Sequence, residues 1–147
     1  MKKILLLFII AVGLSCSNDE IIDYTAQNEA DIQAYLAANN INAQKTLSGL
    51  YYVINEEGNG ESPIFNSNVT LGYKGYFLDG TTFDSSSKAT FNVNQVVPGF
   101  AEAVTILKIG GSGTFILPSR LGYGNRGSRS IAPGDVIVFD INLISIN

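Results

Sequence analysis

Histidine and tryptophan are absent from the 147 residues, and cysteine and methionine occur once each. Without histidine the chain has no side chain whose ordinary pKa lies between pH 6 and 8, which excludes chemistry built on an imidazole base. A single cysteine allows no disulfide within the chain. Charge is sparse at 15% of residues, with nine basic against thirteen acidic and a net of −4, so a basic surface able to hold nucleic acid is excluded. The apolar run from Ile4 to Leu14 is too short for a membrane-spanning helix, which needs about 20 residues. Repeats and low-complexity tracts are also missing. What is plentiful is apolar and glycine residues, with seven Tyr and eight Phe, a composition that suits a sheet-rich fold better than a helical bundle. The length allows one domain of about 100 residues with an N-terminal extension.

Met1-Lys2-Lys3, the apolar run and then Ser15-Cys16 read as an export leader over residues 1–15. Cys16 resembles the acylated cysteine of a bacterial lipoprotein, although Gly13 stands where such signals usually carry Leu or Val. Ser17-Asn18-Asp19-Glu20 reads as a solvated acidic linker, and it also resembles the export signals of some Bacteroidetes lipoproteins; both readings stay open. Loss of Lys2 and Lys3 with the leader leaves seven basic against thirteen acidic residues, a net of −6. Membrane association is therefore expected through lipid on Cys16 and not through protein charge, in the cell envelope, as an outer-membrane lipoprotein facing the periplasm or the cell surface.

Residues 16–45 are expected to form a tether with one short helix, and 46–147 the main domain. Asn28 is placed as the helix cap with Asp31 three residues later, and Ile32, Tyr35 and Leu36 share a face that docks on the domain. The helix should stop at Asn39-Asn40. Leu50 to Ile54 reads as a strand. Val69, Leu71 and Tyr73 alternate with small or polar residues, and Asp79-Gly80 returns the chain as a hairpin that ends near Phe83-Asp84. Gly99 to Leu107 has Phe100, Ala103, Val104 and Leu107 at helical spacing, with Gly110-Gly111 as its stop. Thr114 to Leu117 and Val136 to Ile144 are strands, the second with Ile137, Phe139, Ile141 and Leu143 on one face.

In order and spacing, Tyr73, Phe83-Asp84, Phe91, Gln95 to Phe100, Leu121-Gly122-Tyr123-Gly124, Ile131 to Asp135 and Val138 to Ile141 resemble the FKBP family of peptidyl-prolyl cis-trans isomerases. The resemblance covers roughly residues 46 to 147. It implies an α+β fold, a curved antiparallel sheet wrapped around one short helix, joined here by the short N-terminal helix. It also implies rotation about X-Pro bonds without cofactor or metal, on unfolded or exported proteins, and macrolide inhibitors as ligands. Carried over by position, Tyr73, Phe83, Asp84, Tyr123 and Phe139 would form the catalytic set. Phe91, Val96, Val97, Phe100 and Ile131 would complete the proline pocket. The Val97 N–H and the Tyr123 hydroxyl would bond substrate carbonyls, and Asp84 would stand at the rim.

Three departures accompany the resemblance. Phe100 stands where well-known active members usually carry Trp, Lys88 is only a loose counterpart of a basic residue found after the Asp in some relatives, and the loop from Asn125 to Ser130 has no room for an inserted chaperone domain. Arg126 and Arg129 in that loop read as solvated charges. Since the same aromatic cavity would serve either, a low-turnover module that binds proline segments, or a chaperone on the same fold, stays open beside the enzyme.

Overall fold

The computed structural model describes residues 20–147. The expected leader, Cys16 and residues 17–19 of the acidic stretch lie outside them. Six strands, β1 (Gln44–Lys45), β2 (Tyr51–Glu56), β3 (Asn68–Phe77), β4 (Thr82–Asn92), β5 (Ser112–Leu117) and β6 (Ile137–Ile146), join in one sheet of order β1-β2-β5-β6-β3-β4. All neighbours are antiparallel, with register shifts in the β2–β5, β3–β4 and β3–β6 pairs. Such bulges strengthen the local twist and let a sheet curl around a helix. Two helices accompany it, α1 (Thr25–Ala38) and α2 (Pro98–Ile106). This is the expected α+β architecture.

Register sorts the side chains onto two faces. Tyr52, Phe115, Phe139 and Gly75 are paired across four strands, as are their neighbours Tyr51, Ile116, Val138 and Tyr76. Because successive residues of a strand face opposite ways, the first row meets α2 and the second meets α1. The α2 side is the larger core, where Phe100, Ala103, Val104 and Leu107 pack on Phe115, Leu117, Ile137, Phe139, Ile141 and Leu143. Pro98 opens α2, where its missing N–H and fixed φ fit the first turn. The helix stops at Ile106, before Gly110-Gly111, because Leu107 turns extended and is 1% exposed in the core. The glycines instead make the next turn, tied to β6 by the Gly110 N–H to the Leu143 carbonyl and the Leu143 N–H to the Gly111 carbonyl, both 2.9 Å.

On the other face α1 docks as expected through Ile32 and Leu36, which pack on Tyr51, Ile116, Val136 and Val138. Complete burial of Ile32 contributes about 1.5–3 kcal/mol. At the edge the Glu29 carboxylate accepts from the Tyr51 hydroxyl at 2.5 Å and from Lys45 Nζ at 3.0 Å. The Tyr51 bond first, then Lys45, holds the Glu29 carboxyl below the usual carboxylate range. Asn28 is not the cap: the helix begins at Thr25, and Asn28 lies inside it, 2% exposed. A better start exists upstream, where the Asp23 carboxylate accepts the Thr25 N–H at 2.9 Å.

Candidate functional site

Four rings from four elements converge beside α2. Phe100, 5% exposed, is met nearly edge-on by Phe139 at 4.9 Å and 86°, by Tyr73 at 5.9 Å and 89°, and by Phe91 at 6.0 Å and 71°. Edge-to-face contact of this kind is favourable for aromatic quadrupoles and fixes each ring against its neighbours. Tyr73 and Phe91 remain half-buried, so the group encloses a cavity of about 310 Å³ and does not fill it. Its walls are Tyr73, Asp84, Phe91, Gln95, Val96, Val97, Phe100, Tyr123 and Phe139. A mostly apolar concavity with a few convergent polar groups has the character of a small-ligand site.

Backbone irregularity aims two of the polar and aromatic groups. In the β3–β4 ladder Gly75 pairs with Asp84 but Tyr76 pairs with Thr82, leaving Phe83 as an extra residue. A regular strand would send Phe83 and Asp84 to opposite faces; this bulge lets both serve the α2 side. The pair therefore sits near the start of β4 and not at the end of the returning strand. Asp84 Oδ2 accepts the Tyr73 hydroxyl at 2.7 Å. Burial, then that bond and the Asp84 charge, push the Tyr73 phenol up to about 12. Gly75 completes the arrangement by having no side chain. A Cβ there would lie 2.7 Å from ring atoms of both Phe139 and Phe83.

The other wall comes from the segment before α2. A 3-10 turn over Val93–Gln95, capped by the Asn92 side chain accepting the Asn94 N–H at 3.1 Å, delivers Val96 and Val97 to the cavity. Val97 is held extended, at φ −58 and ψ 148, as the residue before a proline must be. Its carbonyl accepts the Ala101 N–H at 3.0 Å and so begins the helix. Gln95 lines the cavity as well; it opens one of the runs that carry the family resemblance but is not among the expected pocket residues.

Tyr123 arrives from the loop between β5 and β6. There the Ser119 carbonyl accepts the Gly122 and Gly124 N–H groups at 2.9 and 2.8 Å, folding the chain tightly about Tyr123. Nine of the residues named from sequence are thereby accounted for as follows: Tyr73, Asp84, Phe91, Val96, Val97, Phe100, Tyr123 and Phe139 reach the cavity wall, while Cys16 lies outside the described residues. Phe83 and Ile131 are not at the wall. Phe83 stands behind it, edge-on to Phe139 at 5.7 Å and against Phe77 at 5.1 Å. Ile131 is 6% exposed within the core. Lys88, Arg126 and Arg129 are exposed. Among the described residues no group of three His, Cys, Asp or Glu side chains is placed to hold a metal ion.

Comparison with known proteins agrees with this geometry. A family model for FKBP-type peptidyl-prolyl cis-trans isomerases matches residues 60–144. The chain is 40% identical over 126 residues to the isomerase FkpA of Aeromonas hydrophila, covering 82% of this chain and 47% of that protein. To the outer membrane protein MIP of Legionella longbeachae it is 38% identical over 127 residues, covering 82% and 54%. The crystal structure of FkpA from Escherichia coli superposes with a TM-score of 0.75 at 32% identity, over 83% of this chain and 60% of that one. The chain spans about half the length of these curated relatives. With the family model matching more than half of its residues, and the fold and aromatic cavity in agreement, the chain belongs to the FKBP-type peptidyl-prolyl cis-trans isomerase family.

Proposed function

We propose that this chain catalyses cis-trans isomerisation of X-Pro bonds in unfolded or exported proteins of the cell envelope. The observation that carries the reading is the Phe100 floor, ringed by Tyr73, Phe91 and Phe139 and left open above. Rotation about the bond sacrifices amide resonance, which sets a barrier of about 20 kcal/mol and exchange times of tens of seconds or more. Each tenfold acceleration requires about 1.4 kcal/mol of preferential binding to the twisted amide. The planar amide is the more charge-separated form, so an apolar cavity favours the twisted one. A proline ring on Phe100 would leave the adjacent carbonyls to the Val97 N–H and the Tyr123 hydroxyl, with the Tyr73–Asp84 pair at the rim. Cofactor and metal have no part in these steps, and a macrolide inhibitor would compete for the same cavity.

The deciding experiment is a protease-coupled isomerisation assay on a short X-Pro peptide. Acceleration in proportion to added protein is expected. Saturable peptide binding without acceleration would instead favour the low-turnover binding module or chaperone. The anchoring part of the reading rests on Cys16 after its apolar run, and on a relative named as an outer membrane protein. Cys16→Ser should move the mature protein from the membrane fraction to the soluble periplasmic one. If the variant stays with membranes, lipid on Cys16 is not the anchor; protease shaving of intact cells then distinguishes surface from periplasm.

A further inference from the structure

We infer that Asn28, on α1 and outside the cavity, is a positioning residue for Tyr123, its carboxamide closing the base of the loop that delivers that tyrosine. It is the one polar residue of α1 that is buried. Its Oδ1 accepts the Ser119 N–H at 2.7 Å, and its Nδ2 donates to the Gly134 carbonyl at 2.8 Å. These backbone groups lie at opposite ends of the β5–β6 loop. Between them, the Ser119 carbonyl accepts the Gly122 and Gly124 N–H groups, and the Gly134 N–H donates to the Gly124 carbonyl at 2.9 Å. Tyr123 is therefore flanked by two glycines, and both are bonded to residues that Asn28 holds.

The fit is specific to a carboxamide. One end must accept and the other donate, and a reversed amide would oppose like groups at both contacts. Tyr24 reinforces the grip, since its ring covers Gly134, where a Cβ would come within 2.4 Å and φ is +81. Docking of α1 is already provided by Ile32 and Leu36. A buried side chain whose amide bonds groups 91 and 106 residues away in sequence adds register, not merely adhesion. The N-terminal helix, which touches no cavity residue through these contacts, thus has a defined route to the site.

The kinetic arm of this inference rests on the isomerase reading, so the test carries an arm that does not. Full-length wild type, Asn28→Ala, Tyr123→Phe, their double variant and Ile32→Ala are compared at a temperature well below every unfolding transition. Asn28→Ala should lower kcat/KM about fivefold through a displaced hydroxyl, but less than about twofold when Tyr123 is already Phe, because misplacement of a group already removed has no further effect. Ile32→Ala, which loosens α1 but leaves both Asn28 bonds to the loop in place, should stay within about twofold of wild type. Amide exchange over residues 119–127 should quicken in Asn28→Ala more than in Ile32→Ala. Wild-type turnover in folded Asn28→Ala, an undiminished fivefold loss in the double variant, or an equal loss in Ile32→Ala would each overturn the inference. Should Asn28→Ala not fold, Asn28→Asp takes its place, keeping the acceptor for Ser119 and losing the donor to Gly134. If wild type itself shows no turnover, the proposed activity fails, and the exchange comparison alone decides: faster exchange in the Asn28 variant supports positioning, and equal exchange refutes it.

Discussion

The two faces of the sheet use alternate residues of the same strands, yet under α1 the packing is closed and beside α2 it leaves an aromatic cavity. Toward α1, the row Tyr51, Ile116 and Val138 meets Ile32 and Leu36, and its edge is finished by Glu29, Gln33 and Lys45 around the Tyr51 hydroxyl and ring. Toward α2, the row Tyr52, Phe115 and Phe139 runs on to Gly75, which contributes no side chain. Beyond it Tyr73 leans on Phe91 and Phe139, Phe83 on Phe139 and Phe91 on Phe100, without closing the space above Phe100. Apolar surface that could have been buried is held open by mutual ring contact. The packing under α1 shows these strands filling their apolar rows; the open side shows where they leave room for a ligand instead.

If the faces are separable, damage to each should have a different signature. Ile32→Ala deletes a fully buried side chain on the α1 face and should cost about 2–5 kcal/mol in denaturant unfolding, with kcat/KM of the folded fraction nearly unchanged. A loss of turnover matching the loss of stability would break the comparison. Gly75→Ala strikes the other face. Its new methyl must displace the rings of Phe139 and Phe83, so a cost of about 1–3 kcal/mol should come with a fall in kcat/KM of about tenfold or more. Unfolding and isomerisation measurements on the same preparations separate the two effects.

The closed face was more legible in the sequence than the open one. Ile32, Tyr35 and Leu36 announce a docking stripe by spacing alone, and β6 declares its buried face through Ile137, Phe139, Ile141 and Leu143. What periodicity cannot show is a change of register. The extra residue at Phe83 breaks the alternation that would otherwise assign Asp84 to the opposite face, and it appears only once β3 and β4 are paired. Asn28 misleads for a related reason. Its residue type favours helix caps, but its partners, Ser119 and Gly134, are remote in sequence, and two long-range hydrogen bonds outweigh a local preference. The cavity residues became legible through family likeness, where Phe83 and Ile131 carry over as lining although here neither is at the wall.

A finer division within the open face separates groups that support the cavity from groups that would touch substrate. Tyr123→Phe removes one hydroxyl, worth about 0.5–1.5 kcal/mol, so kcat/KM should fall from a few-fold to about tenfold while the melting temperature hardly moves. Asp84→Leu, at the exposed rim, should likewise impair turnover without collapsing the domain. Wild-type turnover in the combined variant would show that neither group takes part in catalysis and would count against this assignment of the site.

The smallest effect is expected from pH. The Tyr73 phenol ordinarily titrates near 10, and in the folded chain burial, the hydrogen bond to Asp84 and the Asp84 charge push it up to about 12. Below about pH 10 both folded and unfolded chains carry the neutral phenol, so its contribution to stability is fully present there. Between about 10 and 12 the unfolded chain gives up the proton that the folded chain keeps, and stability falls as pH rises. Tyr76, pushed the same way by burial and by Asp140, adds to the loss on the alkaline side. Neither group changes charge between pH 6 and 8, and the chain has no histidine to do so. Turnover should therefore vary by less than about twofold across that range, with a decline in thermal stability appearing only above about pH 10. A bell-shaped rate profile between 6 and 8 would put a titrating group into the rate-limiting chemistry, and amide rotation in an apolar cavity would no longer account for the site.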